Sequence, residues 1–345
     1  MFARQRRRDI SRRIPNTLVE SVYEGLIPID PRTNALYGEH LRSNAQDRIM
    51  EGSGDLDGAL EELKKFEYFY AVPTTIEKHE KDHHLFVKGK IYRWRALFPE
   101  ASDIFYRLLE SRPSLSNEMG CNLIGHYIAV LCEQRRLDVA ERIARQAITS
   151  CKDFDEQGLK RQGLKMFRSL QLSLAETLIC YALVERVDGG KDPDKRNQWL
   201  VESERMYEGM KGEYELIKIR GEGTWGSELD YLRVCIGRAL VSHLANRLAE
   251  AHDRWDDAHK AAEDCKNMVT GFIPMIIEYC NCDINLKLGR LAEAETIFKR
   301  ATSYFSEVGR EHWWTGLGTF LLDWLKASIQ ESGIDTRREI MPICY

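Results

Sequence analysis

The sequence predicts an all-α protein built as an array of helical hairpins, and three observations lead to that class. Only 9 prolines occur in 345 residues, and few segments alternate apolar and polar residues as β-strands do. Apolar residues instead recur at helical spacing, in pairs of short segments separated by turns. The hydrophobic content of 43% suffices for a packed core, so a disordered chain is not expected.

The clearest hairpin spans residues 85–113. Its two apolar stripes are Leu85, Gly89 and Tyr92 in the first helix and Ala101, Phe105, Leu108 and Leu109 in the second. Pro99 suits the first turn of the second helix, and Pro113 ends that helix. Helices of this length are marginally stable alone in water. Each hairpin is therefore expected to bury its apolar stripes against a neighbouring hairpin, as in a solenoid.

The pattern divides the chain into three regions. A basic, weakly structured lead-in is predicted at 1–45, a helical repeat array at 46–310, and a capping helix with a C-terminal tail at 311–345. The array contains about six hairpins. Their helices are predicted at 39–50 with 55–66, at the two halves of 85–113, at 122–134 with 137–150, at 164–186 with 198–210, at 227–252 with 255–268, and at 274–288 with 291–305. The capping helix would cover the apolar face of the last hairpin.

Two of these hairpins share a recognisable sequence. Residues 136–147 (RLDVAERIARQA) and 290–301 (RLAEAETIFKRA) agree at Arg, Leu, Ala, Glu, Ile and the final Ala. Agreement at the same place in two hairpins indicates an internal repeat rather than helix propensity alone.

The hairpins resemble those of the tetratricopeptide repeat (TPR) family, in which small and aromatic residues recur at fixed positions. The 85–113 hairpin matches that pattern at Gly89, Tyr92, Ala101, Phe105 and Pro113, and the 275–305 hairpin matches at Gly289, Ala294, Phe298 and Ala301. Partial matches are Ala140, Ala144 and Ala147 at 121–150, and Ala258, Ala262 and Cys265 at 239–268. The resemblance implies a TPR-like α-α superhelix. Because the alanines do not recur every 34 residues or so, longer helices and insertions are expected.

Charge and cysteine content limit the expected partners and compartment. The net charge is −4 with 30% charged residues, which argues against dedicated nucleic-acid binding. Nine cysteines without paired spacing indicate reduced thiols in an intracellular protein, cytoplasmic or nuclear. Six arginines among the first 15 residues fit a solvated tail, a nuclear signal or a mitochondrial presequence. No apolar run reaches the roughly 18 residues of a membrane span.

One stretch carries the letters of a zinc-hydrolase motif, H-E-x-x-H, at His79, Glu80 and His83. That chemistry needs two imidazoles one helical turn apart to bind Zn²⁺ and a glutamate to activate a bound water. The surrounding residues are charged and no second motif supplies a third ligand. A polar helix start or loop is therefore preferred, and no cofactor is expected. Cys280 and Cys282 form a lone C-x-C pair, for which packing in the core is the expected role.

In the TPR family the first helices line a concave groove that receives segments of other proteins. The resemblance therefore implies a non-catalytic scaffold or adaptor whose partner is a protein or peptide. Lys90 and Arg93 share a helix face and would grip an acidic segment, with Trp94 as an apolar anchor. The corresponding faces of other hairpins include His126, His243, Arg247, Tyr279 and Asp283. Ordinary solvated helix faces are the competing interpretation.

Two further functions stay open at this point. The first is a zinc-dependent hydrolase that uses the residues at 79–83. The second is the repeat module of a larger signalling ATPase system, which would itself lack catalytic residues. The sequence specifies neither the partner nor the oligomeric state.

Overall fold

The described part of the chain is entirely helical, which confirms the predicted all-α class. The computed structural model describes residues 23–24, 37–38, 40–45, 56–71, 78–95, 97–111, 118–155, 160–187, 192–220, 225–265, 272–294 and 296–297. Its helices are α1 (Leu56–Ala71), α2 (Lys78–Trp94), α3 (Phe98–Ser111), α4 (Glu118–Glu133), α5 (Leu137–Asp155), α6 (Lys160–Val187), α7 (Pro193–Ile219), α8 (Trp225–Leu244), α9 (Leu248–Asp264) and α10 (Phe272–Lys287). Residues 40–45 and 291–294 are helical as well. Among these helices, none combines the length and apolar character needed to cross a membrane.

Two predicted regions fall largely or wholly outside the described residues. They are the lead-in at 1–45 and the capping helix with its tail at 311–345. The second helix of the last predicted hairpin also lies beyond them after residue 297. The proposed boundaries of the three regions therefore stay predictions.

The structure divides one predicted helix into two, and two other helices are longer than predicted. The single helix predicted at 227–252 is two helices, because α8 ends at Leu244 and α9 begins at Leu248. Asn246 between them has a φ of 60°, the left-handed conformation that commonly terminates helices. Helices α6 and α7 have 28 and 27 residues, so the loops predicted on either side of 198–210 are shorter.

The same turn ends three of the helices. In each, a residue with positive φ donates its backbone N–H to a carbonyl three residues back, and the next residue donates to a carbonyl five residues back. The residues with positive φ are Arg135, Asn246 and Gly289, with φ of 57°, 60° and 75°. These paired bonds, 2.8–3.0 Å long, are those of the Schellman motif, which satisfies carbonyls left open at a helix end. The Gln134–Arg136 turn predicted from the sequence is thereby confirmed.

Each of these turns places a buried alanine at the start of the following helix. The N–H groups of Ala140, Ala251 and Ala294 donate to the carbonyls of Arg136, Arg247 and Arg290 at 2.8–3.0 Å. All three alanines are fully buried, so the two helix backbones approach closely beside the turn. The counterpart of Ala140 in the 239–268 hairpin is therefore Ala251, and the alignment that started at Ala258 is wrong by two helical turns.

The N-terminal unit comprises Met1–Leu108, and its core is apolar. Ala45, Leu56, Ala59, Leu63, Val87 and Ile91 form this core between α1, α2 and the helical residues 40–45. Arg95 pairs with Asp57 across the two helices. Gly89 of α2 lies against the Phe105 ring of α3, since a methyl group there would be 2.5 Å from a ring carbon. The small residue predicted at position 89 is therefore a point of close helix contact.

The C-terminal unit comprises Leu109–Tyr345, and its helices pack in an alternating order. Every helix from α4 to α10 packs against the next one, and α6 also packs against α4 and α8. Arg145 of α5 bonds to Glu202 of α7, while Arg254 of α9 bonds to Glu204 of α7. The helices thus form a first row (α4, α6, α8 and α10) and a second row (α5, α7 and α9).

The close contact between α7 and α8 provides a test of this packing. A methyl group at Gly237 would overlap the fully buried ring of Tyr207. We expect Gly237→Ala to lower the free energy of unfolding by about 1–3 kcal/mol, because the ring has no space to move aside. Urea denaturation followed by tryptophan fluorescence measures this change.

Gly125→Ala is the matched control, since its methyl group would lie 3.5 Å from Ser173 Oγ, an ordinary contact. This variant should be as stable as the wild type or more stable by about 0.5–1 kcal/mol, as expected for alanine within a helix. Equal unfolding free energies for the two variants would contradict the tight contact at Gly237.

Candidate functional site

Charged side chains converge at two places in the first row of the C-terminal unit. The first is an ion-pair cluster, here called the Arg233 cluster, which consists of Glu176, Arg233, Asp230 and Tyr214. Arg233 Nε and Nη2 donate to the two Glu176 oxygens at 2.9 and 2.8 Å. Its Nη1 donates to Asp230 Oδ1 at 3.2 Å, and the Tyr214 hydroxyl donates to Asp230 Oδ2 at 3.2 Å. The cluster therefore joins α6, α7 and α8.

The electrostatics of the Arg233 cluster follow from its partial burial. Glu176 is buried and Arg233 is half-buried. Burial alone would lower the pKa of Arg233, but the paired carboxylates outweigh it and raise that pKa. Burial raises the pKa of Tyr214 well above its usual value, and the Asp230 charge raises it further. Arg233 and Glu176 thus form a bidentate pair, a geometry that fixes orientation as well as adding energy.

The second place is the His243 cluster, formed by His243 of α8 with Asp283 and Lys287 of α10. His243 Nε2 lies 2.7 Å from Asp283 Oδ2, and Lys287 bonds to the same carboxylate oxygen. The edge of the His243 ring meets the Trp255 ring at a centroid distance of 6.5 Å. Sequence analysis placed His243 and Asp283 separately on groove faces, and the structure brings them together.

Burial decides the protonation of the His243 cluster. His243 and Asp283 are each 1% exposed. Burial lowers the pKa of His243 to about 4, against the opposing effect of Asp283. Burial alone would raise the pKa of Asp283. The hydrogen bond to His243 and the nearby Lys287 outweigh that effect and hold the pKa below its usual value. A neutral His243 therefore donates Nε2–H to an ionised Asp283. Neither side chain reaches solvent, so the pair lies within the contact between α8 and α10.

The α2 residues that are predicted to grip an acidic segment of a partner are largely enclosed. Arg93 is 3% exposed, so a partner would have to displace neighbouring residues to reach it. Lys90 is half-buried, with its ammonium 5.9 Å from the centre of the Phe86 ring. Burial, together with the Arg93 charge, lowers the pKa of Lys90 to about 8. The side chain of Trp94 lies outside the described residues.

The other predicted groove residues occupy three different environments. His126 is half-buried on α4, beside the exposed Asn122. Tyr279 is 3% exposed within α10. Arg247 is not on a first helix as predicted, because the turn at Asn246 places it at the start of α9. There it pairs with Glu204 at 2.7 Å and Glu250 at 3.2 Å, which makes it part of the second row.

The H-E-x-x-H stretch lies in the first turns of α2, which starts at Lys78. His79 and His83 are therefore one helical turn apart, but the side chains of His79 and Glu80 lie outside the described residues. The adjacent His84 is buried, stacks on Phe66 at a centroid distance of 4.2 Å and lies 3.3 Å from Glu67. Among the described residues, no group of three or more His, Cys, Asp or Glu side chains is placed to bind a metal ion.

The C-x-C pair packs in the core. Cys280 and Cys282 are both buried, and Cys282 Sγ donates to the carbonyl of Ala294 at 3.3 Å. The role expected from the sequence, structural packing, is consistent with this placement.

Sequence reasoning missed the Arg233 cluster, although the sequence contains a signal for it. Glu176 is the one charged residue in LQLSLAETLICYAL (170–183), an otherwise apolar and small-residue helix segment. Arg233 and Arg238 likewise interrupt the apolar residues of α8. A lone acid in one buried helix and basic residues in another predict an ion pair between the two helices.

The His243 cluster makes stability depend on pH. The pKa of His243 is 6.5 in the unfolded chain and about 4 in the folded protein. The contribution of the neutral imidazole to the free energy of unfolding is therefore complete above about pH 6.5. The contribution is lost as the pH falls towards 4, since the unfolded chain binds the proton first. Between pH 7 and pH 5 we expect the wild type to lose about 2 kcal/mol more unfolding free energy than His243→Gln. Urea denaturation at both pH values measures the difference. A smaller loss in the wild type than in the variant would indicate a histidinium–carboxylate pair instead.

Comparison with protein-family models and with curated proteins finds no match for this chain. The resemblance to the TPR family therefore remains a prediction that rests on the residues of the hairpins themselves. The candidate site likewise depends on the geometry of the chain alone.

Proposed function

We propose that the chain is a non-catalytic scaffold of stacked helical hairpins, a TPR-like superhelix, that binds a segment of another protein along its first row of helices. The observation that carries this proposal is the alternating packing of the C-terminal unit. Each helix there contacts its neighbours in sequence, α6 also packs against α4 and α8, and the His243–Asp283 hydrogen bond joins α8 to α10. Repetition of one turn at three helix ends supports the same architecture.

The binding face is assigned to the open face of α4, defined as Asn122, Gly125, His126 and Ala129. These four residues are exposed or half-buried, whereas the opposite face of α4 is buried. Gly125 lies beside Ser173 of α6, so small residues leave room for a segment to lie close to both helices. The amide of Asn122 and the imidazole of His126 supply hydrogen-bonding groups that fix an extended or helical segment.

This face is preferred to the predicted clamp at Lys90 and Arg93. Arg93 is 3% exposed, and moving a buried guanidinium outward would break the contacts that hold it. Asn122 is exposed and needs no such rearrangement. The zinc-hydrolase and ATPase-module interpretations gain no support from a described residue and stay predictions.

Site-specific photocrosslinking tests the proposal. Benzoylphenylalanine is introduced at Asn122, at His126 or, as the matched control on the second row, at the exposed Arg142 of α5. After irradiation in cells that express the chain at its native level, we expect one polypeptide to be captured from positions 122 and 126, at least tenfold more than from 142. Mass spectrometry of the adducts should map the crosslink to the same segment of that polypeptide.

Two results would count against the scaffold function. One is the absence of any adduct at 122 and 126 when mass spectrometry of the chain confirms that the photoreactive residue is incorporated at both positions. The other is equal capture from 142, which would indicate non-specific contact with the whole surface.

A further inference from the structure

Helix α7 has an apolar face that lies open to solvent. Val201, Leu216 and Ile219 are 56%, 52% and 80% exposed, which is unusual for three large apolar side chains on one helix. At 100° per residue they lie on one stripe together with Arg205, Glu208, Gly209, Gly212 and Glu215, all of which are exposed. This stripe, here called the open face of α7, extends about 27 Å along the helix.

The remaining faces of α7 are already in use. Leu200, Ser203, Tyr207, Met210 and Tyr214 are buried on the opposite side. At the flanks, Glu202 bonds to Arg145 of α5 at 2.8 Å, and Glu204 bonds to Arg254 of α9 at 2.9 Å. Helices α5 and α9 therefore hold α7 from both sides, and no other helix among the described residues covers its outer surface.

The glycines of the open face serve no contact within the described residues. A methyl group at Gly209 or at Gly212 would meet nothing within 4 Å. Each glycine nevertheless destabilises a helix interior by about 0.5–1 kcal/mol relative to alanine. Two glycines one turn apart allow a second helix to approach more closely, because interaxial distance is set by the side chains at the contact.

The open face is complementary to itself when a second copy runs in the opposite direction. Val201 lies nine residues before Met210 and Ile219 nine residues after it, so these apolar side chains would meet across a two-fold axis at that level. Arg205 and Glu215 lie five residues on either side and would meet as opposite charges. The two-fold axis generates each contact twice, and the glycines lie at the crossing point.

We infer that α7 forms an antiparallel, two-fold contact with α7 of a second copy of this chain. The occupant is assigned from the pairing of Arg205 with Glu215 and of Val201 with Ile219 across the two-fold axis. A single helix pair makes an interface at or below the lower end of the roughly 1,200–2,000 Å² range of stable complexes. The dimer is therefore expected to depend on concentration over a range of about 1–100 μM, and sedimentation velocity of the full chain measures it.

Charge reversal gives the sharpest test. Arg205→Glu places Glu opposite Glu twice, and Glu215→Arg places Arg opposite Arg twice, so each variant alone should be monomeric where the wild type is dimeric. An equimolar mixture of the two variants restores both attractive pairs in a heterodimer. We expect that mixture to regain a sedimentation coefficient within about a tenth of the wild-type value, and a fold defect in either variant could not produce this recovery.

The controls use exposed residues elsewhere on the same unit. Arg142→Glu on α5 and Leu291→Glu, the latter at a residue that is 67% exposed, should leave the dimer unchanged. Val201→Glu combined with Ile219→Glu should abolish it with an unaltered far-ultraviolet circular dichroism spectrum. A wild-type chain that is monomeric up to 100 μM or so, a single charge reversal that still dimerises, or a mixture that stays monomeric would each overturn the inference.

Discussion

The described architecture depends on one short turn and the alanine that follows it. The backbone bonds of the turn reverse the chain within three residues, and the buried alanine lets the second helix pack closely against the first. Since the backbone makes these bonds, Arg135, Asn246 and Gly289 can all occupy the left-handed position. Arginine and asparagine are less favourable there than glycine, by about 1–2 kcal/mol for a side chain with a Cβ. Burial of the adjoining apolar helix faces must offset that cost.

The turn defines a hairpin, and hydrogen-bonded polar pairs join alternate helices. In the first row, Glu176 with Arg233 and His243 with Asp283 each join helices that are not consecutive in sequence. A buried charge without its partner costs several kcal/mol, which makes any other neighbour unfavourable. Contacts between apolar faces alone would let one helix slide along the axis of its neighbour. These pairs therefore specify how neighbouring helices align along their axes more than they add to the stability of the protein.

Sequence reasoning found the helical class, the helix at 98–111 and the turn at 134–136 because each has a local signal. It missed the second clear repeat, NRLAEA at 246–251, which closely matches GRLAEA at 289–294. The continuous apolar pattern across 227–252 concealed the turn at Asn246, and this error moved Arg247 onto the wrong helix. The burial of Arg93 and Tyr279 could not be predicted, because helical spacing shows which residues share a face but not what covers that face.

Helix α7 is tightly packed on its inner face and exposed on its outer face. Its inner face holds the fully buried Tyr207 against Gly237, and its flanks carry carboxylates bound by arginines from two other helices. Its outer face keeps exposed Val201, Leu216 and Ile219, and two glycines that no contact among the described residues requires. Local preference and packing within the described residues both disfavour that outer surface, as expected of a surface that contacts a second chain. Because α7 is held rigidly on three sides, such contacts would form on a preorganised surface with little further loss of conformational entropy.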